Sequence, residues 1–419
     1  MPAEAAGVAQ RRRPTQQEID AICARHDRLW SAKPGGARAN FAFCDLTGAN
    51  LSDRNLTDAD FSGAIVADAN FNGARLDHAN FYGADLQGAT LVNASLRRAD
   101  LRGACMRGAD LTGADLFEAD LREGALAAAD RASGYRVLET TNRYSEAHGA
   151  SLVGANLERS KLSGIVAMKA DFTDAMMKDC KLVRANLKSA TLNGADLAGA
   201  DLSGADLSGA DLRDAVLVGA KTTMTVLDRA DMAGALTDQT VGQPVETLPY
   251  GQMLQDHALW CETGGRQGAP SRFDAADLRG LKSIRGLNLT ALSARGAVFY
   301  GLDMEGVQLQ GAMLEGADLR GCNLRHADLR GARLKGAKLN TADMREAMLG
   351  PLLIGPERLM PADLTEASLK GADLTGADLR RAVLKGADLT RARLAGAHLR
   401  QADFATAILT GVRGLESAL

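Results

Sequence analysis

The stretch Ala49-Asn50-Leu51-Ser52-Asp53 decides the fold, because its spacing of residue types recurs every five residues on either side. A large apolar residue falls at Phe41, Leu46, Leu51, Leu56 and Phe61. The same phase continues through Phe71, Leu76, Phe81, Leu86, Leu91, Leu96, Leu101, Met106, Leu111, Leu116 and Leu121 to Leu126. Ala usually stands two positions before it, Asp or Asn one before, and Gly often two after. An α-helix turns about 100° per residue, so every fifth side chain lands about 140° further round and the leucines share no face. A long strand fails as well: five is odd, and the leucines would alternate between faces. A short extended piece ending in a corner satisfies the pattern. Ala and Leu, two apart, both point inward, and the next inward residue comes three later, so a turn intervenes. Asp, Asn and Gly suit that corner. Stacked coils of this kind hydrogen-bond at the strand spacing of about 4.8 Å.

Composition agrees. Of 419 residues, 45 are Gly and only 4% are aromatic, so the core must be assembled from Ala and Leu used many times, which points to repeats. A formal net charge of -3 supplies no general attraction to nucleic acid or an anionic membrane. The cysteines Cys23, Cys44, Cys105, Cys180, Cys261 and Cys322 lie far apart, without metal or redox spacing. They read as reduced thiols of a cytoplasmic protein. Arg11-Arg12-Arg13 is not followed by an apolar stretch, so no signal peptide is expected. No window reaches the ~18 apolar residues of a membrane span, so membrane insertion is not expected either.

The unit Ala-(Asp/Asn)-Leu-x-x resembles the consensus of the pentapeptide-repeat family. The resemblance implies an all-β solenoid, a right-handed quadrilateral parallel β-helix with four pentapeptides per coil. The first array runs from Phe41 to Leu126, and a break at 127–149 follows, expected as an insertion looped out between coils. A second array starts at Leu152 and passes Leu157, Leu162, Phe172, Met177, Leu182 and Leu187 to Met232, one residue out of phase with the first. Residues 237–272 carry Pro244, Pro249 and Pro270 and a helix-like stretch from Gln252 to Cys261. A third array begins near Phe273 and Leu278, slips by one residue to Ile284, and holds its phase through Leu289, Phe299, Leu319, Leu374 and Leu399 to Leu409.

The N-terminus mirrors the 237–272 segment. Thr15-Gln16-Gln17-Glu18 is a capping box, followed by a helical face of Ile19, Ile22, Cys23, His26, Leu29 and Trp30. Each tryptophan follows a histidine, His26…Trp30 and His257…Trp260, and Gly35-Gly36 and Gly264-Gly265 come next. The expectation is two tandem units, each preceded by a helical cap: 1–40 and 41–236, then 237–272 and 273–419. Solenoid ends expose unpaired backbone and Leu side chains, so they need covering. Trp30 and Trp260 are expected to plug the open core, with His26 and His257 bonding nearby backbone.

No nucleophile, phosphate-loop, dinucleotide or metal motif occurs. Asp is abundant because the repeat demands it, so its pairs carry no catalytic information. An enzyme, a cofactor and a metal are not expected. Function is expected on the outer faces, as a protein-interaction scaffold whose partner is another protein. Residues twenty apart stack, giving one column of Asp60, Asn80, Asp100 and Asp120, within an array holding about twice as many acidic as basic residues. In the third array Arg320, Arg325, Arg330 and Lys335 follow Leu on four successive sides. Arg345, Lys370, Arg380, Lys385 and Arg400 recur at that position, with Asp318, Asp328, Asp373 and Asp378 between them. The bland reading is a mixed, solvated surface. The family implies an alternative: some members resemble B-DNA and protect gyrase, which makes a type II topoisomerase a candidate partner and direct nucleic-acid binding unexpected. Two irregular places are candidate contacts. One is the break, with Tyr135, Arg136, Arg143 and Tyr144, residue types favoured at interfaces. The other is Gly350–Pro361, which keeps the phase through Ile354 and Leu359, places Pro351, Pro356 and Pro361 at equivalent corners, and turns Leu353 and Met360 outward. Homodimerisation through the C-terminal coil is a further expectation.

Overall fold

The computed structural model describes residues 11–128 and 136–417. Each pentapeptide of the arrays contributes one strand-like bridge residue and one two-residue turn. Bridges are parallel and join residues twenty apart, Asn40 to Asp60, Asp60 to Asn80 and Asn80 to Asp100, so four pentapeptides close a coil. Neighbouring coils zip through the backbone. The Leu51 N–H donates to the Asn70 carbonyl at 2.7 Å, and the Asn70 N–H to the Ala49 carbonyl at 2.9 Å. The Ala and Leu positions fill the interior, as the spacing requires: Ala59, Phe61, Leu76, Ala79 and Leu86 are all fully buried. Phe61 stacks on Phe41 and Phe81 with centroids 5.1 and 4.7 Å apart, and Phe71 meets it edge-on at 5.5 Å. Offset and edge-on rings add to what area burial supplies.

Each corner is a four-residue turn. The Ala49 N–H closes on the Leu46 carbonyl at 2.9 Å, and the third residue has positive φ, +70° at Gly48 and +55° at Asp53. That is the signature of a type II turn. The Asp or Asn before Leu is not in the turn itself, as the sequence suggested. It occupies the bridge position and reaches over the corner with its side chain: Asp110 Oδ1 accepts the Thr112 N–H at 3.0 Å, and Asn70 Oδ1 the Asn72 N–H at 3.0 Å. The consensus residue therefore ties down the corner that follows it.

The chain forms two compact units, Met1–Asp238 and Gln239–Leu419. In the first, α1 (Gln16–Trp30) starts with the capping box on Thr15 and Glu18. Its Ile19 and Cys23 are buried in the same apolar cluster as Phe41 and Leu46. The exposed backbone edge of the first coil finds substitutes for the strand it lacks. The Asp45 N–H donates to the Arg12 carbonyl at 2.8 Å. The Gln16 amide takes the Asn50 N–H at 3.1 Å and donates to the Asn50 carbonyl at 2.9 Å. Trp30 is 50% exposed and does not plug the core. Ile19 and Cys23 take that place, and the indole sits outside them, edge-on to His26 at 6.4 Å.

After Glu123 the chain leaves the coil as an antiparallel hairpin, β1 (Gly124–Ala128) with β2 (Arg136–Arg143). It returns at Glu146, which bridges Cys105 in the coil below. That separation exceeds the usual twenty by the length of the segment 124–144, which has left the coil. The segment is one residue longer than a multiple of five, and this explains the phase shift. The insertion is therefore 124–144, not 127–149. Leu126 belongs to the hairpin, and buried Ser145 and Ala147 are the first inward pair of the second array. The buried Ser145 hydroxyl pins the return, accepting the Gly103 N–H at 2.9 Å and facing the Arg122 and Leu101 carbonyls at 2.8 and 3.1 Å.

The second unit opens with β3 (Gln243–Pro244), which pairs in parallel with β4 (Ala276–Asp277), and α2 (Tyr250–Glu262). Ser283 bridges Asp303, the regular twenty on, whereas Asp277 bridges Val298, one position further than that. The extra residue is absorbed in a short 3₁₀ turn, Arg279–Leu281, followed by Lys282 at φ +59°. A second hairpin, β5 (Leu352–Gly355) with β6 (Arg358–Met360), interrupts the coil between Arg333 and Asp363, which bridge each other across it. Their spacing exceeds one coil by ten, a multiple of five, so the phase is unchanged. The expectation that the coil continues through this stretch is overturned. Ile354 and Leu359 are 47% and 42% exposed, and Pro351, Pro356 and Pro361 bracket strands instead of marking coil corners.

Candidate functional site

The outer faces are set by one recurring chelate. An Arg directly after Leu folds back onto the Asp directly before it, each guanidinium gripping both carboxylate oxygens. Arg102 reaches the Asp100 oxygens at 2.9 and 2.6 Å, and Arg330 reaches Asp328 at 2.9 and 2.6 Å. The same pairing holds Arg122 on Asp120, Arg213 on Asp211, Arg279 on Asp277, Arg320 on Asp318, Arg345 on Asp343 and Arg380 on Asp378. Side chains two apart on a strand point the same way, so Asp-Leu-Arg places acid and base side by side and turns Leu inward. The hydrogen bond from Arg345 holds the Asp343 carboxyl below the ordinary carboxylate range, and Arg380 does the same to Asp378. The motif is readable in the sequence, where the acidic and basic positions look interspersed and are in fact paired.

The column Asp60, Asn80, Asp100, Asp120 exists as expected, each member bridged to the next. Its character differs from a bare acidic row. Asp100 and Asp120 are chelated by Arg102 and Arg122, and Arg102 lies over the Tyr82 ring at 5.2 Å. Nearby, Arg97 and Arg159 lie over Phe117 at 4.5 and 5.5 Å while pairing with Asp115 and Glu118.

The hairpin β5–β6 has two distinct faces. Leu352 pairs with Met360 and Leu353 with Leu359. Alternation along each strand turns the first pair one way and the second the other. Met360 does not face outward, as the sequence suggested. With Leu352 it sits on the solenoid wall over Gly311 and Gly331, where a methyl built on Gly331 would come within 2.8 Å of both side chains. Gly331 has φ +65°, and its bare backbone is what lets the hairpin seat. The other face is open: Leu353 is 66% exposed beside Leu359.

In the first hairpin, Arg136 begins β2 and Arg143 ends it, while Tyr135 lies outside the described residues. Tyr144 follows at the base, 52% exposed, its ring alongside the Gly164 corner. His26 and His257 occupy matching positions, both fully buried. The Ala39 N–H donates to His26 Nδ1 at 3.0 Å, and the Ser271 N–H to His257 Nδ1 at 2.7 Å. Trp30 reaches His26 with its indole N–H at 3.2 Å, and half-buried Trp260 lies 5.8 Å from His257, ring to ring.

Among the described residues, no group of three His, Cys, Asp or Glu is placed to hold a metal ion, and no helix is long and apolar enough to cross a membrane. All six cysteines are free, and burial pushes the Cys23 thiol up to about 11 and the Cys322 thiol up to about 12.

Among solved structures, the chain is similar to HetL, a pentapeptide repeat protein involved in heterocyst differentiation regulation from the cyanobacterium Nostoc sp. strain PCC 7120. Identity is 24% over 92% of this chain and 93% of that one, with a TM-score of 0.14. It is also similar to trypsin-treated QnrB1, a plasmid-mediated fluoroquinolone resistance protein, at 20% identity over 54% and 87%, TM-score 0.18. A third is Rfr23 from the cyanobacterium Cyanothece 51142, at 24% identity over 33% and 88%, TM-score 0.16. No curated protein matches. The family model for pentapeptide repeats (8 copies) matches residues 37–73, 55–93, 94–130, 150–188, 180–219, 283–321, 308–346, 362–401 and 387–413. Matched over most of its length, and coiled with four pentapeptides per turn, the chain belongs to the pentapeptide-repeat family, a right-handed β-helix.

Proposed function

We propose that this protein is a non-enzymatic scaffold that binds another protein, with the Leu353–Leu359 pair as a contact centre. The observation that carries this is the two-faced hairpin, seated on the wall by Leu352 and Met360 and presenting a second apolar pair to solvent. A fixed apolar pair facing solvent is the kind of centre around which interfaces are built. The α-helices act as caps of two tandem units, a reading supported by Gln16 and Arg12 standing in for a missing strand and by the matching histidines. A cytoplasmic location fits six free thiols. In crosslinking pull-downs, Leu353→Glu/Leu359→Glu is expected to lose the partners that wild type recovers, at unchanged melting temperature. Identical recovery by the two proteins would remove the hairpin from the proposal.

A topoisomerase partner is the second reading, resting on the aligned column Asp60, Asn80, Asp100, Asp120. Its chelated carboxylates offer fewer free charges than DNA phosphates do, which weakens the mimicry. A gyrase supercoiling assay showing neither inhibition nor drug protection would exclude it. Association through the C-terminal coil, where Ile408 and Leu409 are exposed, is tested by light scattering, and a monomer at high concentration rejects it.

A further inference from the structure

We propose that His26 and His257 are proton-sensitive latches: uptake of one proton by either ring releases its helix, α1 or α2, from the first coil of its own unit. The two sites repeat one arrangement. Each histidine is fully buried on a helix, and its Nδ1 is the acceptor for a backbone N–H of the segment entering the first coil, Ala39 in one unit and Ser271 in the other. Around His26 the indole N–H of Trp30 aims at Nε2, so two donors face one ring. A neutral imidazole has a single lone pair to offer, and an imidazolium has none. Protonation therefore turns an accepted hydrogen bond into a donor facing a donor inside a dry site, a costly arrangement.

The surroundings favour the neutral ring. Burial lowers the His26 pKa. The Thr57 backbone, Asp27 and Asp58 pull it back up, and Arg38 adds to the lowering. Burial also lowers that of His257, against which only the Thr290 backbone acts. A histidine kept neutral by the docked helix but free to protonate once released, at a pKa near ~6.5, holds the helix at neutral pH. That hold is lost as the pH falls below ~6.5 towards the docked value. Between pH 7.5 and 5.0 a single such ring raises the opening equilibrium by up to about 30-fold.

The chain carries its own reporters, because its two tryptophans are Trp30 and Trp260, one beside each latch. Single-tryptophan proteins, Trp260→Phe and Trp30→Phe, read α1 and α2 separately. The expected result is an emission change below pH 6.5, together with loss of hydrogen-exchange protection in the amides of the same helix after correction for intrinsic exchange rates. In His26→Asn or His257→Asn, whose Oδ1 accepts the same backbone N–H without titrating, both changes should vanish from that helix. Histidine ring NMR on the wild type needs no variant to fold: ring protonation and loss of helix protection should share one midpoint. An emission change with unaltered exchange means the ring titrates in place and overturns the proposal. So do a flat response from pH 7.5 to 5.0, separate NMR midpoints, or an undiminished transition in folded Asn variants.

Discussion

The two hairpins differ in how many residues they withdraw from the coil, and that count decides how visible each is. The second withdraws ten, and the first withdraws one more than a multiple of five. A square coil counts in fives, so the first displaces every later leucine by one position, while the second leaves the pattern untouched. The first interruption announces itself as a phase shift. The second passes for two ordinary repeats with prolines at their corners. A periodic sequence reports which residues face inward only where the coil is actually followed.

The sharpest way to break this comparison is to change the count. Deleting 124–144 joins Glu123 to Ser145 and is expected to leave the melting temperature near wild type, since loops of this length cost little. Extending the deletion by one, to 124–145, leaves a coil one residue short of four pentapeptides and removes the Ser145 hydroxyl from its three backbone partners. A loss of more than about 4 kcal/mol is expected in urea melts. A longer coil is tolerated, as the extra residue near Lys282 shows, but a shorter one cannot close. Equal stability of the two deletions would refute the counting argument.

Next in size is the contrast between coil and hairpin leucine-type positions. Phe61→Ala, within the ring stack, is expected to cost about 3–5 kcal/mol. Leu353→Ala, on the open face, should stay within about 0.5 kcal/mol. Chemical denaturation of both variants checks this. Smaller again is the seat of the second hairpin. Gly331 and Gly336 both have φ +65°, but only Gly331 lies under Leu352 and Met360. Alanine at either position carries backbone strain of about 1–2 kcal/mol. Gly331→Ala should cost about 1–3 kcal/mol more, by crowding the hairpin.

The smallest effect is electrostatic and common to both units. Hydrogen bonds from Arg213, Arg345 and Arg380 hold the Asp211, Asp343 and Asp378 carboxyls below their ordinary value of 3.8. Folded carboxyls with depressed pKa contribute stability that is complete above about pH 4 and lost as the pH falls further. Urea midpoints should therefore drop between pH 5 and pH 2.5. Replacing these three aspartates by Asn should reduce that drop, the other depressed carboxyls such as Asp120 and Asp277 retaining the rest, without altering the response expected of the histidines between pH 7.5 and 5.0.

Much of the fold is legible because inward residues obey a strict spacing. Phe41 to Leu121, Leu152 to Leu217 and Ile284 to Leu349 all sit where the period puts them. The capping box on Thr15 and Glu18 is legible for the same reason, local chemistry at fixed offsets. What escapes is chemistry that depends on the third dimension. Counting along the coil turns Met360 outward, but the chain has left the coil there. The need to cover an open coil end puts Trp30 in the core, although Ile19 and Cys23 already fill it. The Asp-Leu-Arg chelate is present in the letters and needs only the rule that strand neighbours two apart share a face.

That chelate has a consequence for growth. An array built only from such Asp-Leu-Arg sides, unlike the acidic first array, would carry its own counter-charges and could be extended by twenty-residue blocks without accumulating electrostatic potential. Each added coil would advance the stack by about 4.8 Å and leave the charge density of the flank unchanged. Length would then become a quantity that selection can adjust in equal steps, independently of solubility and of the surfaces already in use.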